Sequence, residues 1–185
     1  LWTFDDPFLY RVRARLYLRE QLVDESQWHR FGFREFSRRG SDFILNGKTT
    51  HLRGHQIDLG WGNQMERVKE LKAAGMNCFE LSGPIRNNWY AGTPYRPRQF
   101  REILDYADEH GLLALPVLPS ARILKDRIFE PGVAKLYKRR IDKHIRRFGN
   151  HPSIGMWFMN FNLAGSRWYI APTKIDGSFK PENEA

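Results

Sequence analysis

The sequence predicts an α/β fold: a parallel sheet of four strands joined by three helices, about half of a (β/α)8 barrel, preceded by the last strands of a β-sandwich. Two observations carry this expectation. Up to about residue 36, apolar residues recur at every second position. From about residue 40, short apolar runs alternate with segments of helical period. Alternation of that kind, with short connections, argues for parallel strands and right-handed crossovers. A complete barrel takes about 250 residues, and this chain has 185. The series is therefore either part of a barrel or a smaller open α/β unit.

In the first segment Phe8, Tyr10, Val12, Ala14, Leu16 and Leu18 alternate with Leu9, Arg11, Arg13, Arg15 and Tyr17. This predicts one half-buried strand. A polar break at Asp24-Glu25-Ser26 separates it from Trp28, Phe31, Phe33 and Phe36, so the segment reads as the last two strands of a sandwich. Leu1-Trp2 enters the strand pattern at once, and further sequence is expected upstream.

Asn46-Gly47 is a type I′ hairpin signal between Phe43-Ile44-Leu45 and His51-Leu52-Arg53. Asn63 caps a helix with the apolar face Met65, Val68 and Leu71, closed by Gly75. Met76 to Leu81 follows as a short apolar strand. Phe100, Ile103, Leu104 and Ala107 mark a helix ending at Gly111, and Leu112 to Leu118 a second buried strand broken by Pro116 and Pro119. Val133, Leu136, Tyr137, Ile141, Ile145 and Phe148 define a long amphipathic helix before a strand at Ile154 to Met159. The divisions expected are 1–38 for the sandwich end, 39–165 for the half-barrel, and 166–185 for a loop or tail rich in Pro, Gly and charge.

Hydrophobic residues make up 41% of the chain and aromatics 14%, enough to build a core. No apolar run approaches the roughly 18 residues of a membrane span, so no membrane partner is expected. The formal net charge is +9, but no nucleic-acid-binding motif accompanies it. The densest basic cluster, Lys138-Arg139-Arg140 to Arg146-Arg147, reads as the solvated face of a helix. Cys78 is the single cysteine, so no internal disulfide forms and the compartment stays open. Neither a Gly-rich phosphate loop nor a nucleophile elbow is present, and no cofactor is expected.

Six motifs in order resemble the family 2 glycoside hydrolases, the β-galactosidase, β-glucuronidase and β-mannosidase group. They are Leu1-Trp2 with Pro7-Phe8-Leu9-Tyr10; Phe31-Gly32-Phe33-Arg34; Phe43-Ile44-Leu45-Asn46-Gly47-Lys48 with Leu52-Arg53-Gly54; Lys72-Ala73-Ala74-Gly75-Met76-Asn77; Asp108-Glu109-His110-Gly111-Leu112-Leu113; and Asn150-His151-Pro152-Ser153-Ile154. The resemblance implies an immunoglobulin-like sandwich leading into the first half of a TIM barrel. It also implies a carbohydrate partner and hydrolysis of β-linked O-glycosidic bonds with retention. A half-barrel would need the remainder of its own barrel or a partner chain to cover its edges.

The functional positions depart from the pattern. Counted from Trp157, the family's acid/base Glu falls on Asn162 and its preceding Asn on Phe161. A family Arg and His after the second strand are Glu80 and Gly83 here. The family nucleophile lies on a later strand, which this chain is expected to stop before reaching. An Asn amide bonds hydroxyls but cannot cycle a proton near neutral pH. Two readings therefore stand: a glycosidase with a displaced acid/base, and a non-catalytic carbohydrate-binding or structural module on a degenerate barrel.

In parallel α/β proteins the carboxyl ends of the strands carry the chemistry. The candidate residues there begin with Glu80, read as a displaced acid/base or as a rim carboxylate paired with Arg53 or Arg86. His55, Asp58 and Trp61 read as a subsite floor after the first strand. Asn87, Asn88 and Trp89 read as amides beside an aromatic, suited to sugar. Asn160 and Asn162 lie at the fourth strand end, and Trp168 reads as a cleft wall. His55 with Asp58 offers two metal ligands and no third nearby, so no metal is expected.

Overall fold

The computed structural model describes residues 1–59, 62–82, 97–118 and 130–158. The architecture is mixed α/β. The N-terminal part holds two antiparallel pairs. β1 (Tyr10–Val12) pairs with β4 (His29–Phe31), and β2 (Arg15–Leu18) with β3 (Gln21–Glu25). β5 (Phe36–Arg39), β6 (Asp42–Leu45) and β7 (Lys48–Thr50) form an antiparallel meander. β8 (Gly54–Asp58), β9 (Cys78–Ser82) and β10 (Leu113–Pro116) are parallel neighbours in chain order. α1 (Gln64–Ala73) and α2 (Pro97–His110) make the crossovers, and α3 (Pro131–Phe148) follows β10.

The single strand expected from Phe8 to Leu18 is broken in two. Ala14 is tied at both its N–H and its C=O to Ser26, at 2.9 Å each, which turns the chain from one hairpin into the other. Glu25 locks the same corner by pairing with Arg13 and Arg15 at 2.6 Å. The expected burial also fails: Phe8, Val12, Leu16 and Leu18 are half or more exposed. A period of two decides which side chains share a face, not whether anything covers that face.

Asn46 and Gly47 take positive φ, 51° and 80°, and Leu45 faces Lys48 directly. The I′ turn is therefore as expected, but its second strand is Lys48–Thr50, not His51–Arg53. The latter residues bond to the strand-entry segment instead. The amide of Asn77 donates to His51 O, its Oδ1 accepts from Arg53 N, and Arg53 O accepts from the N–H groups of Asn77 and Cys78. Gly54 must be glycine there, because a Cβ would collide with the Cys78 carbonyl.

α1 follows its capping signals. Asn63 Oδ1 accepts from Glu66 N, and Gly75 sits at φ 76°. Gly75 N donates to Lys72 O and Met76 N to Leu71 O, both at 3.0 Å, closing a Schellman motif. The next expected strand, Ile154 to Met159, is reduced to two parallel bridges on β10, Ala114 to Ile154 and Val117 to Phe158. Four steps on one side match three on the other, so one extra residue bulges out of the ladder.

The parallel sheet carries a cluster of apolar residues on each face. Ile57, Phe79, Leu81 and Ala114 pack against Val68, Phe100, Ile103, Leu104 and Phe148 from the helices. On the opposite face Cys78, Leu113 and Leu115 surround Trp2, which is wholly buried. Burial pushes the Cys78 thiol pKa up, as expected of a structural cysteine. α3 departs from its expected apolar face at two positions. Leu136 is nearly half exposed, while His144 is buried against Phe100, Phe148 and Trp157. No helix among the described residues is long and apolar enough to cross a membrane.

Asp108, 2% exposed, joins the parts. Its Oδ1 accepts from Ser153 N at 3.0 Å and its Oδ2 bonds His151 Nδ1 at 2.7 Å. The indole of Trp2 donates to its carbonyl at 2.7 Å. Arg34 donates to the carbonyls of Pro152 and Ile154 on the same turn.

Asp108→Ala removes the acceptor for two buried groups and is expected to lower unfolding stability by about 2–4 kcal/mol. Asp108→Asn, which keeps one acceptor, should cost less, and urea unfolding measures both. Burial, and secondarily the charge of Arg147, lowers the His144 pKa to about 4. A base whose pKa falls on folding contributes stability that is intact above its unfolded value near 6.5 and lost as pH drops toward 4. Up to about 3 kcal/mol should disappear across that window, and His144→Leu should flatten this part of the stability profile.

Candidate functional site

Alternation along the parallel strands decides which side chains meet. Phe79 and Leu81 of β9 face the helices, so Cys78, Glu80 and Ser82 face the other way. The register pairs Gly54 with Cys78, Gln56 with Glu80, and Asp58 with Ser82. On β10, Leu113 lies beside Cys78 and Leu115 beside Glu80. One face of the sheet is therefore graded. Its amino-terminal end holds Gly54, Cys78 and Leu113 with Trp2 packed over them. Its carboxyl-terminal end holds Gln56, Asp58, Glu80 and Ser82.

Gln56 Nε2 donates to Ser82 Oγ at 3.1 Å, and Ser82 is fully buried. Glu80 Oε1 is buried without a hydrogen-bond partner. Burial is the larger cause that raises the Glu80 pKa above the ordinary glutamate range, and the neighbouring Asp58 carboxylate is the second. Both favour the protonated acid. A carboxyl whose pKa is raised, on a face where polar groups converge, is a candidate proton donor.

Glu80 was expected at the carboxyl end of its strand; it is the third of the five residues of β9. The alternative pairing with Arg53 is not seen, since the Arg53 guanidinium bonds Gly75 O. His55 and Asp58 were expected together in a loop after the first strand. Both lie within β8 instead, on opposite faces because they are three residues apart. His55 is exposed, with Nδ1 against Gln56 O. Only Asp58 shares the face of Glu80. Trp61, Asn87, Asn88, Trp89, Asn160, Asn162 and Trp168 lie outside the described residues, as do Gly83 and Arg86. Gln56 and Ser82 were missed. Their signal is the two-residue spacing Gln56/Asp58 and Glu80/Ser82, legible only once the register is known.

A second polar cluster sits at the other end of the sheet. Asp105, Asp108 and His151 bring possible metal-ligating atoms within 4.8 Å of one another. Both oxygens of Asp108 are already engaged, and Arg30 holds Asp105 at 2.8 Å and pairs with Glu109. This is a structural junction.

No family model matches the chain. A β-galactosidase of Thermoanaerobacterium thermosulfurigenes is 30% identical over 166 residues, covering 88% of this chain and 21% of that protein. A putative β-glucuronidase of Formosa agariphila is 31% identical over 183 residues, covering 96% of this chain and 20% of that protein. Among solved structures, a β-glucuronidase from Ruminococcus gnavus in complex with D-glucuronic acid superposes with a TM-score of 0.59 at 25% identity, over 85% of this chain and 26% of that one. The chain thus spans about a fifth of the length of these curated relatives.

A carboxyl whose pKa is higher folded than unfolded carries no penalty below the ordinary glutamate value, where both states are protonated. As pH rises through the raised value the folded state bears an ionisation cost that the unfolded state does not. Glu80→Gln should therefore melt at a higher temperature than wild type at pH 7–8 and at the same temperature near pH 4. A variant less stable at pH 8 would show that ionised Glu80 is paired.

Proposed function

We propose, from the premise that this chain is a segment of a family 2 glycoside hydrolase, that the protein to which it belongs hydrolyses β-linked O-glycosides at the carboxyl ends of β8 and β9. In this reading residues 1–38 close an immunoglobulin-like sandwich, residues 39–165 form the first half of a TIM barrel, and residues 166–185 are a loop or tail. The β8-β9-β10 winding in chain order supports the barrel half. The remainder of the barrel, or a partner chain, covers its open edges.

The observation that carries the catalytic reading is Glu80: a carboxyl with a buried, unpartnered oxygen and a raised pKa, beside Asp58 on the polar end of one sheet face. Retaining hydrolysis needs one carboxyl to protonate the leaving oxygen and a second to form the covalent intermediate, about 5–5.5 Å apart. Glu80 takes the first role, which the family pattern gives to the position of Asn162. The second belongs to a later strand. Gln56 and Asp58 bond sugar hydroxyls, and the fully buried Ser82 orients Gln56. Trp61, Asn87, Asn88, Trp89, Asn160 and Trp168 are assigned to the same cleft by their sequence positions, and His55 to its outer edge.

A second reading, a carbohydrate-binding module without turnover, is favoured by Asn162 and Gly83, which replace residues of the family pattern. Turnover of aryl β-glycosides by the full-length protein separates the two. Wild-type turnover with a loss of about 10²–10⁴-fold in kcat for Glu80→Gln supports the catalytic reading. Unchanged turnover in the variant removes Glu80 from the mechanism. Sugar binding without turnover in the wild type favours the second reading.

A further inference from the structure

α3 carries seven cations, one carboxylate and His144 in eighteen residues. At about 100° per residue, Lys135, Lys138, Arg139, Lys143, Arg146 and Arg147 fall on one side of the helix, and all are exposed. The single acid among them, Asp142, is paired with Arg146 at 2.9 Å. The opposite side seats the helix: His144 and Phe148 are buried, and Tyr137 and Ile141 half-buried. The helix cannot rotate without unpacking Phe148 from Phe100. The cationic side is thus a fixed, outward stripe about 18 Å long.

We propose that this stripe binds a linear polyanionic glycan, a polysaccharide bearing carboxylate or sulfate groups along its length. The kinds of side chain present select this partner among polyanions. Arg and Lys bond guanine edges as well as phosphates, so duplex DNA is the competing polyanion, but α3 contains no Asn, Gln, Ser or Thr to read the other bases. Binding single-stranded nucleic acid relies on aromatic platforms, whereas both α3 aromatics lie on the packed side. A membrane-surface helix inserts its apolar face, and that face is occupied by the core. A row of cations without stacking partners suits a chain recognised by the charge along its length. The choice of a glycan rests on the carbohydrate-processing reading; the stripe itself does not.

The test is affinity electrophoresis of the full-length protein through gels containing polygalacturonate, dextran sulfate or neutral dextran, at several salt concentrations. The variant is Lys138→Gln/Arg139→Gln/Lys143→Gln, three exposed positions. Wild type should be retarded by the two polyanions and not by dextran. The variant should bind at least about tenfold more weakly, with the slope of log K against log salt reduced by roughly two to three. Turnover of a small aryl glycoside should be the same in both. Equal retardation of variant and wild type overturns the proposal, as does tighter binding to a single- or double-stranded oligonucleotide of matched charge. Absence of turnover in both proteins would instead count against the glycosidase reading and leave the binding result to stand by itself.

Discussion

The buried carboxylate of Asp108 holds together three parts of the chain that are far apart in sequence. It bonds the turn at His151 and Ser153, while its own carbonyl receives the indole of Trp2. A carboxylate in such a place is tolerated only because each oxygen has a partner. Its position explains why Asp108-Glu109-His110-Gly111 and His151-Pro152-Ser153 stand out together in the sequence: the two motifs are halves of one contact. Gly111, at φ 63°, completes the junction, since a Cβ there would collide with the backbone of Phe4. The N-terminal segment, the second helix and the approach to the fourth strand are thereby fixed at the amino-terminal end of the sheet.

That placement leaves the opposite end of the face to polar side chains. Trp2, Cys78 and Leu113 fill one half of the sheet face with apolar volume, so the polar residues of the same strands gather at the carboxyl ends. Glu80 is where the gradient turns. It stands between Gln56 and the apolar Leu115, half in each environment, and this desolvates one oxygen while Asp58 opposes its ionisation. A family pattern with Arg at this position would place a fixed positive charge there. The carboxyl instead gives a group that can hold or release a proton. The sequence thus carries an amide at Asn162 and a carboxyl at Glu80.

Much of the fold was legible because local chemistry dictates it. The cap at Asn63, the left-handed Gly75, the Asn46-Gly47 turn and the spacing of Phe100, Ile103, Leu104 and Ala107 each follow from a residue's own conformational or burial preference. Less was legible where the answer depends on a distant partner. His144 is polar in any hydropathy reading, yet it falls three residues after Ile141 and four before Phe148, on the buried side. Nothing in Phe8, Val12 or Leu16 tells whether a second layer covers them. In the candidate site, Glu80 was expected at a strand end and Asp58 in a loop, and both lie within neighbouring strands on one face. Gln56 and Ser82 were missed, because the parallel register that sets them beside each other is a property of two strands and not of either one. Alternation along β8 separates His55 from Asp58.

The protonation state of Glu80 is the property on which the catalytic reading turns. Titration of its side-chain carboxyl by carbon-13 NMR, with the resonance assigned by comparison with Glu80→Gln, measures it directly. A midpoint displaced above the ordinary glutamate value of about 4.3 is the expected result. A midpoint at or below that value would mean that the carboxylate is solvated or paired with a cation, and Glu80 would then be no proton donor.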